Sequence, residues 1–260
     1  MSARAPAVPA AAVLLIAGCD SSGGAGLVRD VRTLRDFGVE ALCAVTAVTA
    51  QSHSEVRAVH PLPPGLIRAQ ILTAFESRAI DAVKIGMLGT EEAAEAVAQA
   101  LPRDRRLPVV LDPVLRSSSG GVLLDEAGQR AMQERLFPLT TLLTPNIPEA
   151  IALLRAAEPS GAVSPDTPAL LDWADRLLAQ GPAAVLIKGG HASGAEAADL
   201  LASASGARRW FASPRLPGSV RGTGCALASA IAAGLASGEP LEEACWQARQ
   251  YVLNLLAGGP

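Results

Sequence analysis

A short glycine-rich stretch late in the chain has the residue types of an anion-binding site. Gly222, Thr223 and Gly224 precede Cys225, and residues 226–235 behind them carry no charged side chain. The run is rich in helix-forming residues, so it predicts a buried helix that begins at these glycines. The first turn of such a helix offers unpaired N–H groups and a positive dipole end to a phosphate or a developing anion. A glycine turn before a tightly packed core helix is an equally good interpretation of the stretch alone.

The use of basic residues singles out a lysine. Of the 22 basic residues only Lys84 and Lys188 are lysines, and asparagine occurs only as Asn146 and Asn254. Lysine and arginine are not interchangeable at a tight phosphate site, because lysine presents a compact ammonium on a flexible stem. We therefore take Lys188 and Asn146 as candidate functional residues. For Lys84 and Asn254, sequence drift explains their presence as well.

Buried strands and helices alternate along the chain. Apolar runs predict strands at residues 13–17, 41–48, 80–85, 109–111, 141–144 and 183–187. Helical patterns occupy residues 27–37, 64–77, 90–101, 125–136, 148–154 and 168–180. This order is typical of the α/β class, and it predicts a three-layer α/β/α arrangement with a mostly parallel central sheet. We expect residues 1–12 to form a flexible N-terminal segment and residues 13–260 to form a single domain.

Polar and glycine residues follow the predicted strands. In a parallel sheet, ligands gather beyond the carboxyl ends of the strands, so these residues should share one edge. They are the loop at 20–26, Gln51, Gly86, Met87, Asp112, Asn146, Glu149, Lys188 and the stretch at 222–225. A glycine-rich loop, a lysine and an anion-binding helix end, with acidic and amide groups between them, are what phosphoryl transfer from a metal-bound nucleotide requires.

Composition excludes several classes of protein. The net charge is −3, 3% of the residues are aromatic, and no basic run marks a nucleic-acid surface. No apolar run approaches the ~20 residues of a bilayer span. The four cysteines lack zinc-site spacing, so reduced thiols of a cytoplasmic protein are the simpler account. The apolar run before Cys19 matches a bacterial lipoprotein cleavage pattern, but it continues into a structured unit, which makes a lipoprotein the weaker alternative.

Seven motifs together resemble those of the hydroxymethylpyrimidine/phosphomethylpyrimidine kinases of thiamine biosynthesis, which have a ribokinase-like fold. The motifs follow the family's order and spacing from about residue 13 to residue 251. They are AGCDSSGGAG at 17–26 with Asp30, VTAVTAQ at 45–51, KIGML at 84–88, LDPV at 111–114, TPNIPE at 144–149, KGGH at 188–191 and GTGC at 222–225. The resemblance implies a single ribokinase-like kinase domain, ATP and Mg²⁺ as cofactors, a small pyrimidine substrate and a homodimer.

The resemblance implies a substrate pocket. It places the pyrimidine near Gly18, Asp30, Gln51, Met87 and Val114. Gln51 suits an aminopyrimidine edge, because a carboxamide donates and accepts hydrogen bonds at once. A glutamine that merely ties a loop to the sheet is the alternative.

The resemblance also implies contacts to the nucleotide and the metal. Asn146 and Glu149 match the family's N-x-x-E motif, which helps to hold Mg²⁺, and Asp112 would assist at the metal. A glutamate in the first turn of a helix is also favoured by the helix dipole alone. Lys188 would neutralise charge on the transferred phosphate, and Asn146, Lys188 and Thr223 would contact the nucleotide.

Cys225 takes the place where other ribokinase-like enzymes carry an aspartate base. At a helix N-terminus we expect its thiolate to be favoured, while the N–H groups of Gly222 and Gly224 stabilise the phosphoryl oxygens. A small buried cysteine is the alternative. A substrate that already bears a phosphate has a charged nucleophile, so Cys225 should matter more for the alcohol than for the monophosphate.

Three features depart from the family pattern. Arg221 stands where the family usually has histidine, residues 116–120 lack the family's lysine, and the chain ends at residue 260, short of the usual tail. We expect Arg116 or Arg221 to supply the missing positive charge to a substrate phosphate. Two alternatives stay open: a pyridoxal kinase of the same fold, and a pyrimidine-binding sensor domain that has lost turnover.

Overall fold

A computed structural model describes residues 10–104, 106–117, 120–156, 168–191, 195–216 and 220–258. Its strands are β1 (Ala12–Asp20), β2 (Glu40–Gln51), β3 (Val56–Pro61), β4 (Ala82–Ile85), β5 (Val109–Leu111), β6 (Leu142–Leu143), β7 (Ala184–Ile187), β8 (Glu196–Ser203) and β9 (Arg208–Pro214). They form one sheet in the order β3-β2-β1-β4-β5-β6-β7-β8-β9. The strands from β2 to β7 in that order run parallel, whereas β3, β8 and β9 pair antiparallel with their neighbours.

Helices cover both faces of the sheet. They are α1 (Gly26–Asp36), α2 (Pro64–Ser77), α3 (Glu91–Ala100), α4 (Glu126–Ala131), α5 (Ile147–Leu154), α6 (Pro168–Leu178), α7 (Thr223–Ala236) and α8 (Leu241–Leu256). The first core packs α2 to α6 on one face, and the second packs α1, α7 and α8 on the other. Among the described residues, no helix is both long and apolar enough to cross a membrane.

The central strand β1 serves both cores. Leu14 and Ile16 point into the first core, while Val13, Leu15 and Ala17 point into the second. Successive side chains of a strand face opposite sides, so a strand covered on both faces must be apolar at every position. This is the physical reason for the unbroken apolar runs in the sequence, and it confirms the predicted three-layer α/β/α class.

The predicted parallel strands are confirmed as β1, β2 and β4 to β7, and the predicted helices correspond to α1 to α6 and α7. The helix predicted at 125–136 ends in a π-helical turn, Met132–Leu136. β1 begins at Ala12, so that residue belongs to the sheet and not to the predicted N-terminal segment, whose residues 1–9 lie outside the described part of the chain.

Three strands and one helix were not predicted. The edge strand β3 is exposed along most of its length, and the hairpin β8–β9 carries polar residues among the apolar ones. α8 has charged residues on its outer side and buries only Ala244, Cys245, Ala248 and Arg249. The outer elements β3, β9 and α8 lack wholly apolar runs because an edge strand or an outer helix needs only one buried face, whereas β8 is buried at five successive positions but includes the charged Asp199.

Candidate active site

The carboxyl edge of the sheet extends beyond the strands through further backbone hydrogen bonds. Asp112 N donates to Ile85 O at 2.8 Å, and Lys188 N donates to Pro145 O at 2.8 Å. Asn146 and Lys188 form a parallel bridge just past β6 and β7. The backbone therefore fixes the residues that follow neighbouring strands side by side, as the sequence predicts.

Lys188 lies between two carboxylates and the start of α7. Its Nζ is 2.7 Å from Asp112 Oδ1 and 3.9 Å from Glu149 Oε2. Thr144 Oγ1 donates to the same Asp112 oxygen at 3.2 Å. A Cβ added at Gly224 would lie 3.3 Å from Lys188 Nζ, so the ammonium sits against the first turn of the helix. The structure thus brings together the predicted lysine, the predicted carboxylates and the predicted anion-binding helix end.

The charge on Lys188 is held by its neighbours. Burial disfavours the ammonium, but the carboxylates of Asp112 and Glu149 outweigh that effect and raise the pKa of Lys188 above its ordinary value. The side chain therefore stays positive at neutral pH. A buried ammonium next to unpaired helix N–H groups can neutralise the charge of a bound phosphate.

Asn146 and Glu149 form a reciprocal cap at the start of α5. Asn146 Oδ1 accepts from Glu149 N at 2.8 Å, and Glu149 Oε2 accepts from Asn146 N at 2.7 Å. Burial raises the pKa of Glu149 to about 7, with Lys188 opposing the shift and Asp112 adding to it. The glutamate therefore has the capping role that a helix start favours, and its carboxyl also titrates at neutral pH beside Lys188.

The surroundings of Cys225 contradict one expectation. Burial raises the pKa of its thiol to about 11, even though the ammonium of Lys84 and a hydrogen bond from the Gly26 backbone act in the opposite direction. The prediction that the thiolate is favoured is therefore wrong, because the loss of solvation outweighs the nearby cation and the Gly26 hydrogen bond.

Glycines let the loop between β1 and α1 pack against the start of α7. Gly222 has a φ of 74°, and a Cβ there would lie 2.4 Å from Gly24 O. Gly26 has a φ of 57°, and a Cβ there would lie 2.3 Å from Gly18 O. A larger residue at Gly222 would push the start of α7 away from the loop, and one at Gly26 would push α1 away from the end of β1. The glycine-rich loop and the helix end therefore form one continuous surface.

Three of the predicted substrate residues meet in one small apolar cluster. A Cβ added at Gly18 would lie 2.8 Å from Met87 Sδ, and Val114 packs against the cluster of Met87, Ala47 and Leu123. Thr46 Oγ1 donates to Met87 O at 2.6 Å and fixes that backbone. The sequence prediction that Gly18, Met87 and Val114 lie together is supported.

Gln51 lies where β2 meets the glycine-rich loop. Its backbone N–H donates to Ser21 Oγ at 2.9 Å, and the Ser21 hydroxyl also lies 3.0 Å from Gln51 O. Thr49 Oγ1 donates to the Gln51 side-chain oxygen at 3.2 Å. The residue therefore ties the loop to the sheet, as the alternative interpretation expects, while its side-chain amide is oriented by Thr49.

Asp30 requires a correction. Its side chain is fully buried, with Oδ2 2.7 Å from Lys84 Nζ and Oδ1 accepting from Ser229 Oγ at 2.8 Å. The side chain has no exposed surface, so in this structure it offers no atom to a substrate. Asp30 is an internal anchor between α1, β4 and α7.

Lys84 is the functional candidate that sequence reasoning left aside. The side chain is fully buried, and the Asp30 carboxylate overcomes the effect of burial and raises the pKa of Lys84. Its ammonium lies close enough to Cys225 and Asp112 to influence both groups electrostatically. The scarcity of lysine that marked Lys188 applied equally to Lys84, so the signal was present in the sequence.

The side chain of Arg221 holds neighbouring segments of the site together in this structure. Its guanidinium donates to Ser52 O at 2.8 Å and to Ser22 Oγ at 3.2 Å, and it lies 3.4 Å from Asp20 Oδ2. Through these contacts Arg221, which directly precedes Gly222, is joined to the end of β2 and to the glycine-rich loop. The exposed Arg116 donates to Gly120 O at 3.2 Å, and Ser118 and Ser119 of the predicted loop lie outside the described residues.

Comparison with known proteins gives matches over nearly the whole chain. A family model described as phosphomethylpyrimidine kinase matches residues 20–259. A hydroxymethylpyrimidine/phosphomethylpyrimidine kinase of Streptomyces coelicolor is 38% identical over 260 residues, which cover 100% of this chain and 93% of that protein. The thiamine biosynthesis bifunctional protein ThiED of Geobacter sulfurreducens is 41% identical over 96% of this chain, but the chain spans only 49% of that relative.

Solved structures of two kinds of kinase share the fold. Phosphomethylpyrimidine kinase from Clostridium difficile matches with a TM-score of 0.80 and 33% identity, over 94% of this chain and 99% of that one. An ADP complex of Bacillus subtilis pyridoxal kinase matches with a TM-score of 0.83 and 30% identity, over 93% of this chain and 90% of that one. The backbone alone therefore does not separate these two substrates.

We predict that Lys84→Met destabilises the protein by about 3–5 kcal/mol, because the substitution leaves the carboxylate of Asp30 buried without its cation. Urea unfolding measures the effect. Glu126→Gln, which removes ion pairs at the exposed surface, is the control and should leave the midpoint unchanged. A Lys84→Met midpoint equal to that of the control would contradict the buried ion pair.

Proposed function

The chain belongs to the phosphomethylpyrimidine kinase family of ATP-dependent phosphotransferases, and we propose that it phosphorylates 4-amino-5-hydroxymethyl-2-methylpyrimidine, its monophosphate, or both. The single observation that carries the proposal is the meeting of Lys188, Asp112 and the first turn of α7 beside the glycine-rich loop. The same arrangement speaks against a sensor domain that has lost turnover, because the groups needed for phosphoryl transfer are present and correctly charged.

Phosphoryl transfer is assigned to the start of α7. The substrate oxygen attacks the γ-phosphorus of ATP, the new O–P bond forms as the bond to the leaving oxygen breaks, and ADP departs. The N–H groups of Gly222, Gly224 and Cys225 stabilise the oxygens of the moving group, and the Lys188 ammonium neutralises their charge. We assign Asn146, Lys188 and Thr223 to the nucleotide, since all three lie along this edge.

The donor set fits Mg²⁺ held mainly through phosphate and water. Within the described part of the chain, no group of three or more His, Cys, Asp or Glu side chains could hold a metal ion. Mg²⁺ commonly uses one or two carboxylates together with substrate phosphates, and Asp112 and Glu149 flank Lys188 as such a pair. When bound, Mg²⁺ would supply charge neutralisation between the phosphates.

The apolar cluster at Gly18, Met87 and Val114 supports binding of a flat heteroaromatic ring. Gln51 lies at the rim of the loop, where its carboxamide is assigned to the amino edge of the pyrimidine. Asp30 has no direct part in this binding, and its role is to hold the Lys84 ammonium beneath Cys225.

We assign the thiolate form of Cys225 as the acceptor of the proton that the alcohol hydroxyl loses when its oxygen attacks the phosphorus. Its thiol is neutral at pH 7, because burial raises its pKa to about 11. The neighbouring Lys84 ammonium stabilises the thiolate whenever it forms, so the residue becomes a stronger participant as the pH rises. A phosphate oxygen on the monophosphate is already charged and needs no base.

The cell compartment and the assembly state are further parts of the proposal. The proposed location is the cytoplasm, where ATP is available and where the four cysteines, all free thiols, stay reduced. The family resemblance indicates a homodimer.

Pyridoxal phosphorylation is the second candidate activity, because a pyridoxal kinase shares this fold with a TM-score of 0.83 and 30% identity. We predict that ADP release with Mg²⁺ and ATP is faster with the pyrimidine alcohol or its monophosphate than with pyridoxal, and that Lys188→Ala lowers the kcat about 100-fold or more. Faster turnover of pyridoxal would replace the first proposal with the second. Absence of turnover with all three substrates would contradict both kinase proposals and favour a binding protein without kinase activity.

We predict that Cys225→Ala lowers the kcat for the alcohol about 100- to 10,000-fold and changes the monophosphate rate far less. In the wild type, the alcohol rate should rise about tenfold per pH unit between pH 7 and 9, because a pKa of about 11 keeps most of the thiol protonated throughout this range. The Cys225→Ala variant should lose that rise. The exposed Cys43→Ala is the control, and equal losses on both substrates would refute the base assignment.

We predict that activation by Mg²⁺ at saturating ATP weakens about tenfold between pH 8 and pH 6, since the carboxyl of Glu149 with a pKa of about 7 must lose its proton to bind the metal. Glu149→Gln should bind Mg²⁺ more weakly at both pH values, and its activation by Mg²⁺ should lack this tenfold change with pH. Protonation of ATP contributes equally to both proteins and cancels in the comparison. An unchanged pH dependence in Glu149→Gln would remove Glu149 from the metal site.

A further inference from the structure

The buried carboxylate of Asp199 holds the backbone of Gly189, the residue after Lys188. Asp199 lies on β8 and is 7% exposed, and its Oδ1 accepts a hydrogen bond from Gly189 N at 2.8 Å. The other carboxylate oxygen pairs with Arg249, which is also 7% exposed. The proposed function uses neither of these charged residues.

The contact of Gly189 with β8 leaves no space for a side chain. A Cβ added at Gly189 would lie 1.9 Å from Ala198 O. The backbone of Lys188 is fixed on its other side by the 2.8 Å hydrogen bond from Lys188 N to Pro145 O. The backbone at Lys188 and Gly189 is therefore held between the segment after β6 and strand β8, and this sets the position from which the ammonium contacts Asp112.

Arg249 connects this clamp to the helix that forms the anion site. It extends from α8 and donates to Ala197 O and to Ser213 Oγ as well as to Asp199. The same helix packs tightly on α7, where a Cβ added at Gly234 would lie 2.9 Å from Ala244 Cβ. Helix α8 thus supports two parts of the site. Through Arg249 it supports the segment that carries Lys188, and by direct packing it supports α7, whose first turn faces Lys188.

A buried ion pair is weak evidence for stability, because an apolar pair of similar volume is often as stable. Its value lies in fixing one geometry. We propose that Asp199 and Arg249 are positioning residues for phosphoryl transfer, which act through the Gly189 N–H to hold the Lys188 ammonium against the first turn of α7. The inference rests on the proposed function of Lys188.

The first test compares substitutions at Asp199. Asp199→Ala should lower the kcat about 10- to 100-fold, as small misplacements of a reacting group do, while the KM for the pyrimidine stays within about twofold. Asp199→Asn keeps an acceptor for Gly189 N–H and should recover most of the kcat. Phe211→Leu, at the residue paired with Asp199 across the hairpin, is the matched control and should lower stability without lowering the kcat of the folded protein.

The second test asks whether Asp199 acts through Lys188. Binding of a non-hydrolysable ATP analogue should weaken several-fold in Asp199→Ala, but not further when Lys188→Ala is already present. Arg249→Lys keeps the charge of the pair and serves in the same cycle if Asp199→Ala does not fold. Equal losses in both backgrounds would overturn the proposal.

Hydrogen exchange of the Gly189 amide separates this inference from the proposed activity. The exchange should be slow in the wild type and at least tenfold faster in Asp199→Ala. If the wild type turns over none of the tested substrates, the kinase proposal fails, and analogue binding together with Gly189 exchange still decides the positioning role. Unchanged exchange in Asp199→Ala would overturn it directly.

Discussion

The site depends on keeping two lysine ammonium groups charged inside the protein. Lys84 and Lys188 each lie 2.7 Å from an aspartate oxygen, on Asp30 and Asp112. An isolated buried ammonium would lose its proton, so each cation needs its carboxylate. Each carboxylate is in turn oriented by a hydroxyl, from Ser229 or from Thr144. Positive charge is thereby available at the sheet edge before any ligand arrives.

The sequence predicted the part of this arrangement that follows from strand order. Strands buried on both faces are apolar at every position, so their ends could be located, and the residues after those ends had to share an edge. Lys188 and Asp112 meet there for that reason, whereas the start of α7 follows β9, a strand that the sequence pattern did not predict. The substrate contacts of Gln51 and Val114 stay predictions.

The rest depends on packing that a linear pattern does not contain. The raised pKa of Cys225 comes from burial by segments distant in sequence, and the enclosure of Asp30 requires Ser229, 199 positions away. Helix α8 and the edge strand β9 have at most one buried face, so they lack the apolar runs that located the central strands, and the buried strand β8 is interrupted by the charged Asp199. Lys84 differs from these residues. The scarcity of lysine already singled it out in the sequence, but only the structure shows that it is buried beside Asp30.

The contact between Gly222 and Gly24 joins segments at opposite ends of the chain. Two segments so distant in sequence meet only by closing a long loop, so this surface is complete only after residue 222 has joined the fold. While a ribosome is still extending the chain, the loop after β1 has no helix to rest on. The loop after β1 and the start of α7 therefore form one surface only when α7 docks.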